Sequence, residues 1–230
     1  LIGQLAWPAA TRWWRRPLPG SIGVAQFDAA GDKLSREFLV YLPRHYGSGA
    51  WPLVIYLHGA GERGTDPNGL RRWGPFAAVQ NKLNIPAIIV GPQCRPDSQW
   101  SPDSILQLIE HAASRYNVDR DRVYLVGFSM GAYGTWQTAA AYPDTFAAIV
   151  PICGGGNPDQ ARSIASIPVW AFHGDNDEVV PLTASAQMID ALNAAGGTPQ
   201  LTILPGAGHG ICNDVCRRDD AWKWLLQQNR

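Results

Sequence analysis

The sequence predicts an α/β fold: a mostly parallel sheet of eight strands with helices on both faces and no large cap domain. Three observations predict it. Short continuous apolar runs recur along the chain: LVIYL at 53–57, AIIV at 87–90, VYLV at 123–126, AAIV at 147–150, VWAF at 169–172 and LTIL at 201–204. Strands buried on both faces have this character. Helical segments alternate with the runs, the pattern of βα units on a parallel sheet. Ahead of them, SIGVAQFD at 21–28 and SREFLVYL at 35–42 alternate enough to be a partly exposed antiparallel hairpin.

Residues 1–20 read as an extended lead-in packed on the surface, with Trp13-Trp14-Arg15-Arg16 followed by Pro17 and Pro19; a membrane-interface anchor is the alternative. Residues 21–230 read as one domain, because no linker, repeat or low-complexity segment interrupts them. The hairpin turns at Ala30-Gly31-Asp32. Residues 74–82 form a weak helix candidate. A helix over 103–116 follows Ser101-Pro102, an N-cap with Pro at the first helical position. A helix over 129–141 is rich in small residues, one over 182–195 stops at Gly196-Gly197, and one over 219–228 closes the chain. On such sheets ligands bind at the carboxyl ends of the strands.

The composition narrows the function. The 230 residues are 46% hydrophobic and 17% charged, which excludes a disordered tail. Nineteen basic residues balance nineteen acidic ones, which argues against nucleic acid or an anionic membrane as partner. No apolar run is long enough to span a bilayer. Ten Trp residues exceed what one core needs, so some are expected at a rim or pocket. Cys94, Cys153, Cys212 and Cys216 allow three disulfide pairings, and Cys212 could bridge Cys216 in a tight turn. A disulfide would imply an exported protein; a secreted or periplasmic location is expected, with a cytoplasmic one as the alternative. Zinc on Cys212, Cys216 and His209 is disfavoured, because no second Cys or His pair follows.

The chemistry lies in four loops. Gly127-Phe128-Ser129-Met130-Gly131 joins the VYLV strand to the small-residue helix. Ser129 is there presented as a nucleophile on a sharp turn, with glycines where side chains would clash. A serine hydroxyl needs a base. His209, in the glycine-rich loop 205–210 after the last strand, is the candidate; His45, His111 and His173 are worse placed. The base needs an orienting carboxylate. Asp175 and Asp177 both follow VWAF; Asp177 is preferred, with Asp175 capping the turn. The chain order is nucleophile, acid, base. Leu57-His58-Gly59-Ala60-Gly61 follows the first core strand, and the N–H groups of Ala60 and Met130 are expected to form an oxyanion hole. His58 reads as structural.

LHGAGERG, GPQC, GFSMGAYGTW, HGDNDEVVP and GAGH together resemble the α/β-hydrolase superfamily. Within it they are most similar to small lid-less esterases: the phospholipase/carboxylesterase-like or "predicted peptidase" group, dienelactone-hydrolase relatives, and feruloyl and acetyl-xylan esterases. The resemblance covers about residues 20 to 230. It implies an α/β-hydrolase fold, no cofactor or metal, and use of the later Asp of the HGxxD motif, Asp177. Cys212 and Cys216 depart from the pattern.

The intervals between Ser129, Asp177 and His209 are consumed by the strands and helices already assigned, so the site should be open. This disfavours a lid-gated lipase and a propeller-gated peptidase. The rim is expected to include Glu62 and Arg63, as binders of a polar group or as a loop ion pair. It is also expected to include Trp100, as a stacking surface or as rim packing; Trp136 is expected in the core. The chemistry expected is hydrolysis of short-chain or plant-polymer-derived esters, free or linked to an oligosaccharide, through an acyl-enzyme. A serine peptidase on the same triad and a non-catalytic binding protein are the alternatives.

Overall fold

The computed structural model describes residues 16–27 and 33–230. Most of the N-terminal lead-in and the hairpin turn at 30–32 lie outside the described residues. Eight strands form one sheet: β1 (Ile22–Gln26), β2 (Leu34–Tyr41), β3 (Trp51–Leu57), β4 (Ile88–Cys94), β5 (Val118–Phe128), β6 (Ala148–Ile152), β7 (Trp170–Gly174) and β8 (Gln200–Leu204). Their order is β1-β2-β4-β3-β5-β6-β7-β8. β1 pairs antiparallel with β2, and β2 with β4; every other pairing is parallel. Each core strand overlaps one of the apolar runs, missing at most the first residue of the run.

The chain leaves β3 for β4 on one side and then crosses to β5 on the other. The crevice outside the carboxyl ends of β3 and β5 is therefore the switch point of the sheet, where open α/β folds bind ligands. The loop 58–62 follows β3 and Ser129 follows β5.

Among the described residues seven α-helices cover the sheet: α1 (Gly74–Gln80), α2 (Pro102–Arg115), α3 (Met130–Ala141), α4 (Ala161–Ile164), α5 (Thr183–Ala194), α6 (Cys212–Cys216) and α7 (Asp219–Gln227). The period of two along the strands divides the core between the faces. Leu53, Ile55, Leu125 and Ile149 pack with Ile105, Leu108, Trp136 and Met188. Val54, Tyr56, Val126 and Val150 pack with Phe76, Val215, Trp222 and Leu225. α2 starts as its sequence demands: Ser101 Oγ accepts from the Ser104 N–H at 3.4 Å, with Pro102 in the first turn. No helix of the described residues is long and apolar enough to cross a membrane.

The sequence left disulfide pairing open. All four are free and buried. Cys212 and Cys216 lie one turn apart on α6 and hydrogen-bond to each other, beneath Tyr56, whose hydroxyl is 3.2 Å from Cys212 Sγ. The disulfide that would have argued for export is not formed. The bond to Cys212, together with burial, holds the Cys216 thiol well above its ordinary value. A thiol so held resists oxidation, because the reactive species is the thiolate.

Candidate active site

Ser129 sits between β5 and α3 at φ 54° and ψ −118°, a conformation that side chains other than glycine seldom adopt. Its surroundings hold it there. Its N–H donates to Ile152 O at 2.9 Å, and its carbonyl accepts from the Ala132 and Tyr133 N–H groups at 2.8 and 3.2 Å. The two motif glycines are needed for close approach. A Cβ on Gly127 would run into the Gly131 carbonyl and the Thr135 hydroxyl, and one on Gly131 into the Leu57 carbonyl.

His209 reaches this hydroxyl from the loop after β8. Its Nε2 lies 2.8 Å from Ser129 Oγ, and its Nδ1 lies 2.7 Å from Asp177 Oδ2. The imidazole packs against Phe128 with ring centroids 5.0 Å apart. Asp177 follows β7. Its side chain is fully enclosed, and its Oδ1 accepts from the Val179 and Val180 N–H groups, each at 2.9 Å. Burial pushes its pKa up, but the His209 hydrogen bond, the two backbone donors and the His209 charge outweigh it. The carboxyl is held below the usual range and stays ionised at neutral pH. Asp175 takes a different part: its Oδ1 accepts the Gly206 N–H, tying the loop after β7 to the loop that carries His209.

The loop after β3 is held from behind by His58. Its Nδ1–H donates to Gly59 O at 2.6 Å and its Nε2 accepts the Cys94 N–H at 3.0 Å. Burial and the nearby Arg63 charge bring its pKa down to about 4, against the pull of the Gly59 bond, so the ring is neutral at pH 7. Ala60 opens a one-turn 3-10 helix and Met130 opens α3. The first N–H groups of a helix have no acceptor within it, so neither donor is engaged inside its own helix.

The rim residues read from the sequence fare differently. Glu62 is half-buried; its carboxylate bonds to the Gly59 N–H and is raised in pKa by burial, and its charge reaches His209. Arg63 donates from Nε to Ser98 O at 2.7 Å. Among the described residues no ion pair joins it to Glu62. Trp100 is 5% exposed, behind the loop, with its indole N–H on His58 O at 3.2 Å and its ring edge-on to His58. It is therefore a wedge that sets the loop, not a surface on which a substrate can stack. Trp136 is in the core.

Two groups escaped the sequence reading. Tyr133, one turn beyond Ser129, and Val179, two residues beyond Asp177, are 44% and 69% exposed. A Cβ on Gly154 would lie 3.0 Å from the Ser129 carbonyl and 3.4 Å from Tyr133 Cδ2, so the tyrosine flanks Ser129. The spacing from Ser129, one helical turn, was the available signal. The second group is Cys153 and His173, packed against Asp177, with Ser185 on the far side of the His173 ring. The signal for His173 was its place four residues before Asp177.

The model of the dienelactone hydrolase family matches residues 89–223. A bifunctional acetylxylan esterase/xylanase of Neocallimastix patriciarum is 28% identical over 156 residues, which are 63% of this chain and 22% of the relative. A putative carboxymethylenebutenolidase of Escherichia coli is 29% identical over 160 residues, 63% of this chain and 58% of the relative. The matched segment thus spans less than two thirds of either relative. A thermostable esterase superposes with a TM-score of 0.79 at 30% identity, over 91% of this chain and 63% of that one. The feruloyl esterase module of Clostridium thermocellum, in complex with sinapinate, superposes with a TM-score of 0.70 at 20% identity, over 93% and 91% of the chains; this likeness speaks to the fold. The match over residues 89–223 spans more than half of the chain, from β4 through the loop of His209 into α7, and on it the chain belongs to the dienelactone hydrolase family of α/β-hydrolases.

Proposed function

We propose that the chain is a serine carboxylesterase with Ser129 as nucleophile, His209 as general base and Asp177 as the carboxylate that orients the base. The observation that carries the reading is the unbroken relay from Ser129 Oγ through His209 to Asp177, with contacts of 2.8 and 2.7 Å. Asp177 is ionised and accepts the Nδ1–H, which leaves the Nε2 lone pair aimed at the serine. Ser129 attacks an ester carbonyl and His209 takes its proton. The N–H groups of Ala60 and Met130 receive the oxyanion. His209 then gives the proton to the leaving alcohol, and water repeats the cycle on the acyl-enzyme. Side chains, backbone donors and water suffice for every step.

The proposed substrates are short-chain or plant-polymer-derived esters, acetyl or feruloyl in type, of small molecules or oligosaccharides. The support is the lack of an inserted cap between the core strands, the apolar exposed Tyr133 and Val179 beside the relay, and likeness to acetylxylan and feruloyl esterases. Fluorophosphonate labelling tests the nucleophile: wild type should label and Ser129→Ala should not. A panel of p-nitrophenyl esters, feruloyl esters and peptide amides tests the class. Labelling that survives in Ser129→Ala would overturn the assignment, and amide turnover above ester turnover would make the protein a peptidase instead.

A further inference from the structure

Behind the Asp177 carboxylate lies a polar cluster that the proposed chemistry does not use. Cys153, just after β6, His173, in β7, and Asp177 place one ligand-type atom each within 4.8 Å of one another. Cys153 and His173 are fully buried. His173 Nε2 is 2.9 Å from Val180 O and 3.2 Å from Asp177 Oδ2. Both neighbours accept only, so Nε2 carries the hydrogen. On the other side of the ring, Nδ1 is 2.7 Å from Ser185 Oγ, on α5, and that hydroxyl is also 2.9 Å from Gly154 O.

The two carboxylate oxygens of Asp177 are held differently. Oδ1 is pinned by two backbone N–H groups, which leave the carboxylate plane free to swing about that oxygen. Oδ2 is the oxygen that His209 bonds to. A reference for His209 has to be fixed by something other than His209. From this geometry we infer that His173 is a positioning residue of the site: its Nε2–H bonds Val180 O and closes the turn whose N–H groups hold Asp177 Oδ1, while the Cys153 thiol bonds the carboxylate itself. The inference rests on the reading of Ser129, His209 and Asp177 as the catalytic relay.

Three features support it. Burying an imidazole costs free energy that an apolar side chain at the end of β7 would not, and here each ring nitrogen has a polar partner. Burial, together with its hydrogen bond to Asp177, pushes the Cys153 thiol up to about 12. It therefore keeps its proton at neutral pH and acts as a donor to the carboxylate. The ring itself is anchored by Ser185, so His173 ties the turn that holds the carboxylate to α5.

The test uses side-chain mimics, p-nitrophenyl acetate turnover and calorimetric melting. In His173→Gln the amide nitrogen can occupy the place of Nε2; in His173→Asn the shorter amide reaches only the Nδ1 side. His173→Asn should lower kcat by about tenfold with KM unchanged, a small part of the ~10⁴-fold loss that follows disruption of the carboxylate itself. His173→Gln should stay within about threefold of wild type, with both variants melting at similar temperatures. Cys153→Ala should lower kcat and Cys153→Ser restore it; this pair carries the test if His173→Asn does not fold. Equal kcat in Asn and Gln variants that both fold, or in Ala and Ser variants, would overturn the inference. Full activity in a parallel Ser129→Ala sample would overturn the relay reading itself, and the inference with it.

Discussion

Asp175 and Gly206 join the two loops on which the relay depends: the Gly206 N–H donates to Asp175 Oδ1 at 2.6 Å. Alongside this bond the Asn176 N–H donates to Ala207 O at 3.0 Å. One loop presents Asp177 and the other presents His209, three residues beyond Gly206. The hydrogen bond between acid and base thus has a second bond beside it that sets the spacing of their backbones.

The two aspartates should separate in mutagenesis. Asp177→Asn should cost about 10⁴-fold in kcat, because an amide no longer holds the right imidazole tautomer. Asp175→Asn keeps an oxygen for Gly206 and should be near wild type. Asp175→Ala loses one exposed loop-to-loop bond, on the order of 1 kcal/mol, which corresponds to tenfold or less in kcat/KM. Steady-state kinetics on one ester decide this; an Asp175→Asn variant as impaired as Asp177→Asn would reverse the assignment.

The backbone at Ser129 makes a prediction about stability rather than rate. At φ 54° and ψ −118°, a non-glycine residue carries strain of roughly 1–3 kcal/mol. Glycine relieves it but loses more entropy on folding, by about 0.5–1 kcal/mol. Both Ser129→Ala and Ser129→Gly abolish the nucleophile, yet the glycine variant should be the more stable by about 1 kcal/mol in urea denaturation. A glycine variant less stable than the alanine one by about 0.5–1 kcal/mol would mean that the turn stores no strain.

The sheet was legible because its strands are buried on both faces and appear as uninterrupted apolar runs. The first half of β5 was not. Asp119, Arg120, Asp121 and Arg122 are polar, and after Trp51 opposite Val118 the register slips to Leu53 opposite Val123. α6 has five residues, too few to show a helical period. In the site, chain order and glycine spacing pointed to Ser129, Asp177 and His209, whose roles depend on backbone geometry. Side-chain direction left no such trace. Trp100 faces His58 because Gly134 on α3 leaves room for the indole, where a Cβ would meet the Trp100 Cβ at 2.7 Å. His173 acquires its role from Ser185 on the following helix, which only the packed fold brings to it.

The cysteines predict a chemical titration. Four free, buried thiols should be silent towards a polar thiol reagent in the native protein, since burial shields all four and raises the pKa of Cys94, Cys153 and Cys216. All four should titrate in denaturant without prior reduction. Fewer than four equivalents before reduction, recovered after it, would mean that a disulfide forms in solution.

His58 sets the pH limit of the fold. Its pKa falls from an ordinary 6.5 to about 4 in the folded chain. The unfolded chain therefore takes up a proton near pH 6.5 while the folded chain resists until near pH 4. Falling pH favours the unfolded chain across that window, by roughly 3 kcal/mol in all, and below it both forms are protonated and the loss stops. Asp177 adds a second loss at lower pH. Its folded pKa is depressed, so its contribution is present above the ordinary carboxylate pKa and disappears as pH falls through the folded value. Urea midpoints should thus drop steadily from pH 6.5 to 4, and His58→Gln, which cannot titrate, should lack that part of the slope. Protonation would also place a second hydrogen on the ring opposite the Cys94 N–H, breaking the bond that holds the loop of Ala60. Esterase activity in wild type should therefore fall together with stability in this range. A His58→Gln variant with the wild-type slope would show that the acid sensitivity originates elsewhere.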